Sequence, residues 1–147
     1  MTALNPLQLE ILKLFDNQSQ SAEDLIALRK ALYDFLKKKN RASVKSLEKK
    51  IFAAVKEKVL AIDDTAKVIL FGSRARGDSR KDSDWDFLIL TSKEVTFALK
   101  TEFRHSIYDV ELETSEAIST IIQNKNDWDK QPFLELHKNI AEDGVEI

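Results

Sequence analysis

Residues 67–90 constrain the fold more than any other part of the chain, because two short apolar runs flank a polar segment. The first run covers 67–71 and the second covers 85–90, and both have the length and composition of strands. Gly72 and Ser73 follow the first run directly, where these residue types favour a turn. The sequence therefore predicts two strands joined by a polar connection.

Two aspartates stand at the start of the second run. Side chains alternate between the faces of a strand, so Asp84 and Asp86 are predicted to share a face that excludes Trp85. At a rise of about 3.3 Å per residue they are roughly 6.5–7 Å apart. Both carboxylates can therefore bind one Mg²⁺ ion or share a pair of Mg²⁺ ions. A divalent cation would also remove the repulsion between them. This spacing predicts a metal site.

The turn before these acids has the residue types that bind phosphate. Gly72 lets a phosphate approach the main chain closely, and Ser73 adds a hydroxyl and an amide. If a short helical turn runs from Ser73 to Arg76, its free amides bind an anion, and Arg74 and Arg76 add positive charge. Phosphate-binding and metal-binding groups are thus predicted within one hairpin.

The motifs Gly72-Ser73, Ala75-Arg76-Gly77 and Ser83-Asp84-x-Asp86 resemble the signature of the nucleotidyltransferase superfamily related to DNA polymerase β. Within that superfamily they most resemble the small prokaryotic minimal nucleotidyltransferases, the group that includes MNT-type antitoxins. The order of strands and helices extends the resemblance to about residues 45–147. It implies an α/β (α+β) fold in which helices pack on a small mixed β-sheet.

The resemblance also implies a third carboxylate on a later strand. The candidate strand is 107–113, where Asp109, Glu111 and Glu113 would share one face. In the family a helix follows this strand, and residues 115–122 are predicted to form it. Glu111 then occupies the position of the third carboxylate, and Asp109 is the alternative. Another interpretation is an edge strand whose acids face water.

The activity that the resemblance implies is Mg²⁺-dependent transfer of a nucleoside monophosphate from a nucleoside triphosphate, with ATP as first candidate, to an acceptor hydroxyl. Asp84, Asp86 and Glu111 would hold two Mg²⁺ ions, and the glycine-serine turn with its arginines would hold the triphosphate. The alternative is a catalytically silent module that keeps the fold and acts as an antitoxin or partner-binding subunit.

The acceptor is predicted to be held by another chain, because only about 35 residues follow residue 113. Relatives that modify small molecules or nucleic acids usually carry a further domain for this purpose. The resemblance suggests a helical protein partner of the HEPN toxin type, and a homodimer is the other possibility. The apolar stripe of the first 40 residues would pack on its own domain or on such a partner.

Helical periodicity predicts helices in the first 60 residues, and the resemblance implies a helical extension at 1–42 before a nucleotidyltransferase domain at 43–147. The extension has helices at 7–15 and around 25–36, with a break at 40–43. The domain begins with a helix that buries Ile51, Val55 and Val59. After the second strand, helices are predicted at 94–105 and from Pro132 to about Glu142, with a loop at 124–127 and Gly144 ending the last helix.

Composition agrees with a globular cytoplasmic protein. The 147 residues carry a net charge of −2, which suggests no general affinity for nucleic acid, and they include no cysteine for disulfides or thiolate metal sites. No apolar run reaches transmembrane length, and the start lacks a signal-peptide profile. His105 and His137 lack metal-ligand spacing. Trp128 and Phe133 are expected to pack the last helix, and stacking on a nucleotide base is the alternative.

Overall fold

The computed structural model describes residues 21–147 together with Pro6, Leu9 and Lys13, but not the side chains of Asp24 and Leu25. Those three isolated residues are helical, and the rest of the helix predicted at 7–15 lies outside the described residues. The chain divides into two compact units, Met1–Glu48 and Lys49–Ile147.

The first described helix, α1, runs without interruption over Ala22–Ile62. The break predicted at 40–43 is therefore wrong. Residues 22–62 include neither glycine nor proline, and asparagine or serine lowers helix stability only by about 0.5 kcal/mol each. The predicted inward face is confirmed where Ile51, Val55 and Val59 are fully buried, whereas Val44 is 50% exposed.

The hairpin predicted from the apolar runs is confirmed. Strand β1 covers Lys67–Phe71 and strand β2 covers Trp85–Thr91. They pair antiparallel, with Phe71 opposite Asp86. Between them lies the short helix α2, Ser73–Arg76, which is the helical turn expected after Gly72.

The next two elements are a helix where a strand was predicted and a strand where a helix was predicted. Helix α3 covers Phe97–Thr114 and strand β3 covers Ile118–Asn124, so the strand predicted at 107–113 and the helix predicted at 115–122 are both wrong. The buried residues of α3 recur every three or four positions, which is helical spacing: Leu99, Phe103, Ile107 and Val110. Strand β3 pairs parallel to β2, with Ser119 opposite Asp86, and α3 makes the crossover that parallel pairing requires.

The chain ends with α4, Lys125–Asp129, α5, Glu135–Asp143, and the short strand β4, Val145–Glu146. The predicted loop at 124–127 is helical from Lys125, because the Asn124 side chain accepts hydrogen bonds from the amides of Asn126 and Asp127. The last predicted helix is confirmed with Gly144 at its C-terminus, but it begins at Glu135 and not at Pro132.

The sheet has the order β3-β2-β1-β4, and β2 lies inside it with both faces covered. On one face, Phe52 of α1 makes edge-to-face contacts with Trp85 and Phe87, at 6.2 Å between ring centroids in each pair. On the other face, Leu88 and Leu90 pack with Trp128 and Ile140. This four-stranded mixed sheet packed with helices confirms the predicted fold class. None of the helices in the described part of the chain is both long and apolar enough to cross a membrane.

Candidate functional site

The two aspartates lie together at the beginning of β2. Asp84 is exposed and immediately precedes the strand, and Asp86 is half-buried within it. Burial raises the pKa of Asp86, the negative charge of Asp84 raises it further, and Arg76 opposes both effects. The predicted pair of neighbouring carboxylates is therefore present, with one arginine close enough to act on it.

Gly72 brings the main chain against the Asp86 carboxylate. A Cβ atom at position 72 would lie 2.5 Å from Oδ2 of Asp86, closer than two such atoms can approach. Gly72 also has φ 75° and ψ −157°, a conformation that essentially only glycine adopts. Glycine is thus required here both by its backbone angles and by the acid beside it.

Helix α2 turns the chain away from this contact. The amides of Ala75 and Arg76 both donate to the Gly72 carbonyl at 3.1 Å, and the amide of Gly77 donates to the Ser73 carbonyl at 3.0 Å. Gly77 ends the turn in the left-handed conformation with φ 81°. The turn places Arg74 and Arg76 in different surroundings.

Arg74 is committed to contacts within the protein. Its side chain is only 10% exposed. Its Nη2 donates to the carbonyls of Ser83 at 2.9 Å and Lys81 at 3.2 Å, and its Nε donates to Ser83 at 3.3 Å. The guanidinium also lies over the Trp85 ring, 4.4 Å from its centroid. The structure therefore places Arg74, predicted as a phosphate ligand, against the loop that carries Asp84.

Arg76 remains available to a ligand. Its side chain is 44% exposed, and its Nε lies 3.3 Å from Oδ2 of Asp78, an exposed loop acid. Since Arg76 also lowers the pKa of Asp86, it is close enough to the acid pair to interact electrostatically with it. Of the two predicted arginines, Arg76 is therefore the more exposed one.

The acids predicted on a third strand lie on α3 instead. The Glu111 carboxylate accepts a hydrogen bond of 2.7 Å from the Ile118 amide and so holds the turn into β3, whereas Asp109 lies 3.7 Å from Lys58. Glu113 is exposed. Within residues 21–147 and the three described positions before them, no three acids or histidines lie close enough to hold a metal ion together. The placement of Glu111 and Asp109 on a strand of the site is therefore wrong, because helical packing decides the structure of 107–113.

Comparison with protein families matches residues 48–146 to a family described as the nucleotidyltransferase domain. The chain belongs to this family. Residues 1–51 match a second family, which is described as a family of unknown function (DUF8507). No curated protein and no solved structure matched the chain.

A glutamate that the sequence reasoning missed connects three parts of the nucleotidyltransferase domain. Oε2 of Glu116, just before β3, accepts a hydrogen bond of 3.1 Å from Nε1 of Trp85. The same oxygen lies 4.0 Å from Nη2 of Arg74. The contact depends on tertiary structure, and no local pattern around Glu116 indicates it.

A buried aspartate, also missed, fixes the other end of β2. Oδ2 of Asp63 accepts from the Thr91 hydroxyl at 2.6 Å and from the Ser92 amide at 2.9 Å, and Oδ1 accepts from the Thr65 hydroxyl at 2.7 Å. Burial alone would raise the pKa of Asp63, but these hydrogen bonds outweigh it and hold the pKa well below the ordinary range. Asp63 therefore stays ionised and ties the end of α1 to the end of β2.

Two cavities of the nucleotidyltransferase domain lie near these residues. One of about 210 Å³ lies beside the glycine-serine turn and is lined by Gly72, Arg76 and residues of α5 that include Asn139 and Asp143. The other, of about 390 Å³, lies between α3 and β3.

Of the two aromatic residues predicted to pack the last helix, one does so and the other does not. Trp128 is buried and stacks on His137 at 4.7 Å between ring centroids, so it packs the last helix as predicted. Phe133 is 70% exposed, contrary to its predicted packing role. His105 is exposed and lines the larger cavity.

Proposed function

We propose that this nucleotidyltransferase domain transfers a nucleoside monophosphate from a nucleoside triphosphate, with ATP as the first candidate, to an acceptor hydroxyl and releases pyrophosphate. The observation that carries the proposal is the contact between Gly72 and Asp86, with Asp84 beside them. It supports the proposal because it brings the glycine-serine turn close to two carboxylates.

The residues present fit Mg²⁺. Burial and the negative charge of Asp84 raise the pKa of Asp86, and Arg76 counters them. The missing side chain at Gly72 leaves room for the Asp86 carboxylate. Asp84 and Asp86 would hold the cation, and bound Mg²⁺ would supply charge neutralisation on the phosphates and a lowered pKa of the acceptor hydroxyl.

The chain itself contributes binding and orientation. The main chain at Gly72 and the Ser73 hydroxyl would contact the triphosphate, since a glycine-serine turn that opens a helical turn presents amides to an anion. Arg76 would neutralise the charge that develops on the leaving pyrophosphate. Positioning and charge neutralisation account for most of catalysis in phosphoryl transfer, and no covalent intermediate on the protein is needed.

For the acceptor we propose a hydroxyl on a protein partner, of the helical toxin type or a second copy of this chain. The unit Met1–Glu48 supports such a surface, because it exposes apolar side chains of α1: Ile26, Leu32, Tyr33 and Leu36. Exposed apolar groups in such number are typical of protein interfaces.

The direct test incubates the protein with ATP labelled on its α-phosphate, Mg²⁺ and the candidate partner, and then detects covalent label on the products. The wild type should transfer label, EDTA should stop the transfer, and Asp84→Asn should abolish it. The same reactions with the other three ribonucleoside triphosphates establish the base preference.

A control separates failure of chemistry from failure of assembly. Partner binding by wild type and Asp84→Asn is measured by titration calorimetry in the same buffer. If both proteins bind the partner equally and neither transfers label, the chain is a binding module and the proposed activity is wrong.

A further inference from the structure

We propose that Arg74, Trp85 and Glu116 form a clamp that positions the acid-bearing loop, residues 77–84, so that Asp84 stays beside Asp86. The inference rests on the proposed function only in taking these two acids as metal ligands. None of the three clamp residues needs to touch a metal ion or a substrate.

The second half of the loop, around Lys81 and Ser83, is attached through Arg74. In the described part of the chain, the side-chain hydrogen bonds that reach Lys81 and Ser83 from outside the loop all come from Arg74. The other bonds at Ser83 are internal: its hydroxyl accepts from the Arg80 amide at 2.8 Å, and its amide donates to the Arg80 carbonyl at 3.1 Å. Loss of the Arg74 bonds would therefore free residues 80–83, which keep their internal turn, while the start of the loop stays joined to α2 through Asp78.

Two contacts keep the Arg74 guanidinium in place. The Trp85 ring lies beneath it at 4.4 Å, and this ring is nearly fully buried and cannot move away. Glu116 compensates the arginine charge at 4.0 Å and fixes the ring through Nε1 at 3.1 Å. A buried guanidinium needs such a counter-charge, so Glu116 acts on the loop through Arg74.

The clamp acts on Asp84 through the main chain. The two hydrogen bonds from Arg74 to the Ser83 carbonyl fix the peptide group that leads into Asp84. Asp84 is exposed, and its charge opposes that of Asp86. Without a restraint, repulsion would favour loop conformations that separate the two acids. The clamp supplies that restraint before any cation binds.

The clamp depends on the shapes of its side chains. Arginine alone can donate in-plane hydrogen bonds to two carbonyls while its flat face covers a ring, and lysine cannot reproduce that combination. Glutamine at position 116 would still accept from Trp85 but would no longer compensate Arg74. Arg74→Lys and Glu116→Gln therefore weaken the clamp while removing little side-chain volume.

The test measures Mn²⁺ affinity by electron paramagnetic resonance, with no nucleotide and no turnover. Arg74→Lys and Glu116→Gln should each bind Mn²⁺ about tenfold more weakly than the wild type, as is typical when the support of a metal ligand is lost. Glu113→Gln is the matched control, because it removes the same charge from an exposed position on α3 and should bind like the wild type.

Amide hydrogen exchange of residues 79–84 gives a second readout. Exchange should accelerate in both clamp variants and remain unchanged in Glu113→Gln. Clamp variants that melt at lower temperature yet keep wild-type Mn²⁺ affinity and loop exchange would overturn the inference and leave a merely structural contact. A wild type that binds no Mn²⁺ would contradict the proposed metal site, and the exchange rates would still decide whether the clamp holds the loop.

Discussion

The carboxylate of Asp86 occupies the space that a side chain at position 72 would fill, with Oδ2 2.5 Å from the place of a Cβ atom on Gly72. Strand pairing fixes this relationship, because Phe71 lies opposite Asp86 and Gly72 follows Phe71 directly. The turn and the acid pair can therefore be perturbed together by one methyl group.

Gly72→Ala should lower the free energy of unfolding by about 2 kcal/mol and weaken Mn²⁺ binding, because alanine disfavours φ 75° and its methyl group displaces the Asp86 carboxylate. Chemical denaturation and Mn²⁺ titration measure the two effects. Gly77→Ala is the control: its φ is 81°, but a Cβ there meets no atom within 4 Å. Equal loss of Mn²⁺ affinity in both variants would contradict the special role of position 72.

Asp86→Asn should raise the melting temperature of the metal-free protein at pH 7 by about 1–3 °C, because it removes a half-buried charge that Asp84 repels. The pKa of folded Asp86 is raised, so its ionisation destabilises the wild type as pH rises from the ordinary value of 3.8 through the folded pKa. The advantage of asparagine should vanish below that window. Thermal melts in EDTA, with Asp82→Asn as an exposed control, test this. A lower melting temperature for Asp86→Asn at pH 7 would refute it.

Asp63→Ala should lower the free energy of unfolding by about 3 kcal/mol, since it leaves the buried Thr91 hydroxyl without its acceptor. The adjacent exposed Asp64→Ala should cost much less. The folded pKa of Asp63 is lowered, so its contribution is complete above the ordinary value of 3.8 and is lost as pH falls through the folded pKa. Denaturation curves between pH 7 and pH 2 should show that loss in the wild type and not in Asp63→Asn.

Glu111→Gln should keep wild-type Mn²⁺ affinity, because glutamine can still accept the hydrogen bond from the Ile118 amide. Glu111→Ala should lose about 1–2 kcal/mol of stability without a matching loss of Mn²⁺ affinity. A large drop in Mn²⁺ binding by Glu111→Gln would instead show that Glu111 reaches the metal site when the cation binds.

Local sequence was sufficient for the hairpin and misleading for the crossover. Strands β1 and β2 are short apolar runs bounded by turn residues, so their types and bounds were predictable. The segment 107–113 alternates apolar and acidic residues over a short window, which resembles a strand. Only the longer frame that begins at Leu99 shows helical spacing. The β-branched residues of β3 indicate a strand. The family pattern instead predicted a helix at these positions.

The proximity of Gly72, Asp84 and Asp86 could be predicted because one short motif carries all three. Glu116 and Asp63 could not, since each acquires its role from residues about 30 positions away along the chain. The contacts of Arg74 to Ser83 and Trp85 could not be predicted either, because composition cannot distinguish an arginine that faces a ligand from one that supports a loop.

Strand β2 is anchored at both of its ends, by Glu116 and Arg74 near Trp85 and by Asp63 at Thr91. Substitutions on the solvent-facing sides of α3 and α5 leave these anchors intact. The outer surface of the domain can therefore change while the acid pair keeps its geometry.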